Sequence, residues 1–137
     1  MAQKLYSNKM INRGGREGEV HSPDGKLDLQ ITSPGKGGTN PEELFAAGYA
    51  SCFNSALEVV LKEAQIEGEH IISAEVTLYT DGPADFHIGI ELKGHIEGVS
   101  VEQQQHLLDL ADKVCPYSKA IKGNVEVKLT VDDELRF

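Results

Sequence analysis

The chain is short of positive charge. Thirteen lysines and arginines stand against 22 aspartates and glutamates, a formal net charge of −9 over 137 residues. That balance repels a phosphate backbone, so nucleic acid is disfavoured as a partner. Long apolar runs are missing too. The longest uncharged stretch falls short of the ~20 residues that a membrane span needs, and it contains Ser and Asn. The first residues, Met1-Ala2-Gln3-Lys4-Leu5-Tyr6, hold no apolar core and no cleavage site, so no signal peptide is read and a soluble, cytoplasmic protein without a membrane partner is expected. The five histidines (His21, His70, His87, His95, His106) fall at no close ligand spacing, which argues against metal catalysis. Ser33-Pro34-Gly35-Lys36-Gly37-Gly38 lacks the Gly-Lys-Ser/Thr ending of a phosphate loop, and no serine-centred nucleophile elbow occurs. There is no repeat and no low-complexity tract.

Cysteine is the scarcity that matters most. The chain has only two, Cys52 and Cys115. In a reducing compartment a lasting structural disulfide is disfavoured, while a transient catalytic one is allowed. At this length residues 1–137 read as one domain, long enough to bury a core without cross-links.

What is present orders itself into elements. Residues 3–13, 17–22 and 27–32 read as strands, separated by Gly14-Gly15-Arg16-Glu17-Gly18 and by the turn Ser22-Pro23-Asp24-Gly25-Lys26. Thr39-Asn40-Pro41-Glu42-Glu43 starts a helix: Asn40 caps, Pro41 suits the first helical position, and Glu43 completes a reciprocal cap. This helix should run to about Gln65 and leave at Gly68. It carries no charge between Glu43 and Glu58, so protein must wrap it on most sides. Ile72, Ala74, Val76 and Leu78 alternate as a strand, Asp81-Gly82-Pro83 turns the chain, and Phe86, Ile88, Ile90 and Leu92 define the next strand, with His87 on its solvent side. Ser100 with Gln103 opens a second helix through Leu107, Leu108, Ala111 and Val114. Cys115-Pro116 breaks or restarts it, Gly123 ends the short piece that follows, and Val125 to Val131 alternate as the last strand. The order βββ-α-ββ-α-α-β predicts an α+β fold with largely antiparallel sheet.

The two thiols have different local settings. Cys115 directly precedes a proline that opens a short helix, where free N–H groups stabilise a thiolate, and Lys119 lies one turn on. The bland alternative is a small buried residue filling a gap. Cys52 lies mid-helix, where it gains nothing from a helix dipole and apolar burial raises its pKa. It becomes reactive only if a cation is brought to it. Of the three arginines, Arg16 is the most suggestive, held in a glycine-flanked bend, with a solvated hairpin tip as its alternative.

The motifs Gly14-Gly15-Arg16-x-Gly18, Gly38-Thr39-Asn40-Pro41-Glu42-x-Leu44-Phe45-Ala46-Ala47-Gly48-Tyr49-x-x-Cys52-Phe53 and Cys115-Pro116-Tyr117-Ser118-x-Ala120 follow each other along the chain. In order and approximate spacing this resembles the organic hydroperoxide resistance proteins, the Ohr branch of the Ohr/OsmC family, over nearly the whole length. The resemblance implies an OsmC-like fold, with largely antiparallel sheets around a long buried central helix in an intertwined homodimer. It implies a thiol peroxidase without metal, flavin or other cofactor. By position, Cys52 matches the peroxidatic cysteine, Cys115 the resolving cysteine, Arg16 the activating arginine and Glu42 the carboxylate that pairs with it. Lipoylated proteins, through their dihydrolipoyl groups, are the implied dithiol reductant. Phe45, Phe53 and Met10 offer apolar surroundings suited to an organic or fatty-acid hydroperoxide. A rival reading of the same cysteine pair is a general thiol–disulfide exchanger or redox sensor, and a non-catalytic α+β binding module comes third. Glu42 and Cys52, ten residues apart on one helix, are separated by about 15 Å along its axis. If both serve one site, Glu42 is expected from a second subunit.

Overall fold

The computed structural model describes residues 2–137, in the order β1 (Ile11–Arg13), β2 (Gly18–His21), β3 (Asp28–Ile31), α1 (Pro41–Glu63), β4 (His70–Gly82), β5 (Asp85–Ile96), α2 (Val101–Val114), α3 (Pro116–Ile121) and β6 (Val127–Val131). The element order is the one the sequence predicts. The chain divides into two compact units, the first ending at Leu44 and the second running from Phe45 to Phe137.

The first unit is a three-stranded antiparallel sheet in the order β1-β2-β3. β1 is much shorter than the expected strand over residues 3–13. Its pairing begins with Ile11 opposite His21, and any extension toward the N-terminus would face Ser22-Pro23, where proline has no N–H to offer. The bend between β1 and β2 is built by backbone chemistry. Gly14 and Gly15 take positive φ, the Gly15 N–H donates to Asn12 Oδ1 at 3.0 Å, and a Cβ on Gly18 would meet the Arg13 carbonyl oxygen at 1.9 Å.

The long helix starts where its capping residues predict. The Glu43 N–H donates to Asn40 Oδ1 at 2.8 Å, and Pro41 occupies the first helical position. The Glu43 carboxylate accepts from the Thr39 hydroxyl, so the expected reciprocal cap takes a different partner. The exit also differs. Gln65, three residues before Gly68, closes the helix in the left-handed conformation at φ 57°, and the Gln65 and Ile66 N–H groups bond back to the carbonyls of Lys62 and Leu61. That is a Schellman closure, which needs one residue at positive φ but not a glycine.

In the second unit β4, β5 and β6 form a sheet in that order. The β4–β5 pair is antiparallel and the β5–β6 pair parallel, which leaves the sheets largely antiparallel, as expected. β4 and β5 outrun their predicted lengths because they pair continuously from His70–Ile96 to Gly82–Asp85, with one irregularity beside Thr80. The inner face carries Ala74 opposite Leu92 and Val76 opposite Ile90. α1 contributes Tyr49, Phe53, Ala56, Leu57 and Leu61, one face at helical spacing, to a core shared with Leu92, Ile96, Leu107, Leu108 and Ala111. By length and composition α1 could cross a membrane, yet this buried face makes it a core helix. α2 approaches β5 closely at Gly94, where a Cβ would meet Leu108 at 2.8 Å and Ile72 at 2.9 Å. Ser100 caps α2 by accepting from the Gln103 N–H, as predicted. Gln104, 1% exposed, accepts from the Ile96 N–H and donates to the Val99 carbonyl and Asp133, tying strand, loop and C-terminal segment together.

Candidate active site

Cys52 and Cys115, 63 residues apart in sequence, come together inside the second unit. α2 ends at Val114, Cys115 takes extended backbone, and Pro116 restarts the chain as α3. Cys115 is thus both the C-cap of one helix and the N-cap of the next. Its side chain makes no capping bond and is left to face α1. The Cys115 thiol donates to the Cys52 sulfur at 3.7 Å. No disulfide joins them, but the sulfurs need to approach by only about 1.7 Å to reach the ~2.0 Å of an S–S bond. The two differ in exposure: Cys115 is fully buried, while Cys52 is partly open to solvent.

Burial pushes the Cys52 thiol above its ordinary value. The backbone N–H of Tyr117 opposes that rise, and the neighbouring Cys115 thiol adds to it. The expectation that a mid-helix cysteine receives nothing from a helix terminus is therefore corrected. Its own helix offers nothing, but the first turn of α3 aims an N–H at it. Burial still wins, and within the second unit nothing makes Cys52 a thiolate at neutral pH. Lys119 is exposed, with its N–H bonded to the Cys115 carbonyl.

The same two helices meet at further points. The Tyr49 and Ser118 hydroxyls bond each other at 2.6 Å, with Tyr49 fully buried and Ser118 7% exposed. Burial raises the Tyr49 phenol above its ordinary value, so it stays protonated and can donate. Gly48 leaves room for Tyr117, whose hydroxyl lies 2.6 Å from where a Cβ on Gly48 would sit. Phe45 packs edge-on against Tyr49 and Tyr117, at ring separations of 6.1 and 5.8 Å. Sequence reasoning did not assign Tyr49 or Ser118. Their only signal was membership in the same motifs as the cysteines.

The first unit brings Arg16 and Glu42 together. Arg16 Nη1 and Nη2 donate to Glu42 Oε1 and Oε2, each at 2.8 Å, a two-point pair that fixes the plane of the guanidinium. The guanidinium holds the Glu42 carboxyl below its usual range, and the carboxylate raises Arg16 further. Arg16 stays 55% exposed, so one face of its positive charge remains free for another group. Among the residues expected to surround a substrate, Phe45 is partly buried, Phe53 lies fully buried in the core, and Met10 is exposed in the first unit.

Comparison with known proteins gives one family. The profile of OsmC-like proteins matches residues 33–130. The organic hydroperoxide resistance protein OhrB of Bacillus subtilis is 47% identical over 131 residues, covering 91% of this chain and 96% of the relative. The crystal structure of that OhrB superposes with a TM-score of 0.87 at 45% identity, over 94% of this chain and 100% of that one. An organic hydroperoxide resistance protein from Legionella pneumophila gives a TM-score of 0.88 at 41% identity, over 95% and 99%.

Proposed function

The chain belongs to the OsmC-like family, in the branch of the organic hydroperoxide resistance proteins, and on that footing we propose that it is a cytoplasmic thiol peroxidase that reduces organic hydroperoxides to alcohols. The observation that carries the reading is the pairing of a partly exposed Cys52 with a buried Cys115 at 3.7 Å. An incoming peroxide can reach the first sulfur, and the second is already in place to act on the product.

The Cys52 thiolate attacks the distal oxygen of ROOH, the O–O bond breaks, and the alkoxide takes a proton and leaves as ROH. Cys52 is left as a sulfenic acid. Cys115 sulfur then attacks the Cys52 sulfur, forming the disulfide and releasing water. A dithiol reductant returns both cysteines to thiols through a mixed disulfide and is itself oxidised. Dihydrolipoyl groups of lipoylated proteins are the reductant this reading names. Phe45, Phe53 and Met10 are assigned to the apolar surroundings of the substrate.

Arg16 supplies the cation that Cys52 lacks, and Glu42 holds the guanidinium in orientation. The source of that cation is a second copy of the chain. Glu42 and Cys52 both lie on α1, about 15 Å apart along its axis, and Arg16 is engaged at Glu42 of its own chain. The Arg16–Glu42 pair of one subunit thus serves Cys52 of the other. Residues 1–137 act as one functional domain within this homodimer. The charge-free side of α1 supports the arrangement: Leu44, Ala47, Ser51 and Ser55 recur at helical spacing and stay exposed in the single chain. On the inner sheet face, Leu78 and Phe86 are also uncovered, at 41% and 60% exposure.

Loss of tert-butyl hydroperoxide, followed with dihydrolipoamide and separately with thioredoxin, tests the proposal. Catalytic consumption with dihydrolipoamide is expected. Turnover of small disulfides without hydroperoxide consumption would transfer the assignment to a thiol–disulfide exchanger.

A further inference from the structure

The Tyr49–Ser118 bond lies one helical step from each thiol. Tyr49 precedes Cys52 by three residues on α1, and Ser118 follows Cys115 by three at the start of α3. Residues three apart share a helix face, so the hydroxyl pair and the thiol pair are adjacent rungs between the same two helices. The bond is short, at 2.6 Å, and both residues are buried, so water does not compete for either hydroxyl. α3 is only six residues long, and the β/extended backbone at Cys115 interrupts the helical hydrogen bonding that would otherwise fix its angle to α2. Its placement on α1 therefore depends on contacts with that helix, and this bond between two buried hydroxyls is one of them.

We propose that Tyr49 and Ser118 are positioning residues for the resolving step, which hold α3 on α1 so that Cys115 meets the Cys52 sulfenic acid before a second peroxide does. This rests on the thiol-peroxidase reading above. The competition is between two balanced reactions of one intermediate. In the first, Cys52–SOH and Cys115–SH form the disulfide and release water. In the second, Cys52–SOH and a further ROOH give the sulfinic acid and ROH, which is a dead end for this chemistry. Only the first depends on where α3 sits. Removing one hydroxyl leaves its partner buried without a bond, a loss that corresponds to roughly a 5- to 10-fold slower closure. The Tyr117 N–H belongs to the same turn of α3, so its hold on the Cys52 thiol loosens with it.

The test uses full-length wild type, Tyr49→Phe, Ser118→Ala and Ser118→Thr, reduced and freed of dithiol, each given increasing excesses of tert-butyl hydroperoxide. Intact mass and peptide mapping give the ratio of Cys52–Cys115 disulfide to Cys52 sulfinic acid. The excess needed to convert half the protein to sulfinic acid should fall roughly 5- to 10-fold in Tyr49→Phe and Ser118→Ala. Ser118→Thr, which keeps the hydroxyl, should stay near wild type. The alkylation rate of Cys52 should also rise at higher pH in the first two variants. Lower thermal stability with an unchanged ratio and pH profile would mean a purely structural bond and would overturn the proposal. If Tyr49→Phe does not fold, Ser118→Ala decides by the same criteria. Should wild type form no Cys52–Cys115 disulfide at all, the functional reading falls and this inference with it. Should wild type form it while folded variants partition alike, only the positioning role falls.

Discussion

Arg16→Ala separates the two influences on Cys52. Burial pushes the thiol up and the Tyr117 N–H only partly offsets it, so the reading assigns the remaining activation to a guanidinium. A hydrogen bond to a charged group is worth about 1.5–3 kcal/mol, which converts to roughly 10- to 150-fold in rate. Arg16 is 55% exposed, so solvent screening takes the expectation to the lower end, about tenfold slower oxidation at neutral pH. The sign on pH follows from the charge. A cation favours thiolate, its removal favours thiol, and the reactive window moves to higher pH. Each unit of thiol pKa above the working pH removes about tenfold of the thiolate, while the more basic thiolate recovers about threefold in nucleophilicity. The pH profile should thus move further than the limiting rate changes. Arg16→Lys should rescue poorly, because an ammonium cannot make the two-point contact with both Glu42 oxygens. Iodoacetamide alkylation of Cys52 against pH and stopped-flow oxidation by tert-butyl hydroperoxide read the two effects. Superimposable profiles and equal rates in wild type and Arg16→Ala would refute the activating role.

Co-refolding Glu42→Ala chains, slowed by up to about tenfold, with inactive Cys52→Ser chains should restore the wild-type rate at about one site per heterodimer, since one pocket then has both a native Glu42 and a native Cys52. Verified heterodimers no faster than Glu42→Ala, or a monomer by sedimentation, would remove the shared site. Gln104→Leu should cost about 2–3 kcal/mol in urea denaturation, because it strands the Ile96 N–H and the Val99 carbonyl in the interior. A loss below about 0.5 kcal/mol would contradict the structural role given to Gln104.

The parts of this protein legible in its sequence are those written in neighbouring residues. Asn40-Pro41 and Ser100 with Gln103 announce helix starts because a cap bonds within its own first turn. The Cys115-Pro116 break follows from proline geometry in the same way. Contacts between distant segments were not legible. Tyr49 and Ser118 are 69 residues apart, and nothing local marks either hydroxyl as buried. The Tyr117 N–H at Cys52 is a backbone contact with no side-chain signature. The parallel placement of β6 depends on where α2 and α3 deliver the chain. The Arg16–Glu42 pair lies between these cases: residue patterns made Arg16 only a candidate, and resemblance to a family paired it with Glu42 before the geometry placed them at 2.8 Å.

The central claim is that Cys52 takes the oxidation and Cys115 resolves it. Intact-mass and peptide analysis after one equivalent of tert-butyl hydroperoxide addresses it directly. Wild type should lose two hydrogens and yield a Cys52–Cys115 linked peptide. Cys115→Ser should gain one oxygen at Cys52, trappable by a sulfenic-acid reagent, and Cys52→Ser should remain unchanged. Oxidation of Cys115 in the Cys52→Ser protein at the wild-type rate would reverse the assignment, and an unmodified wild type would contradict the account altogether.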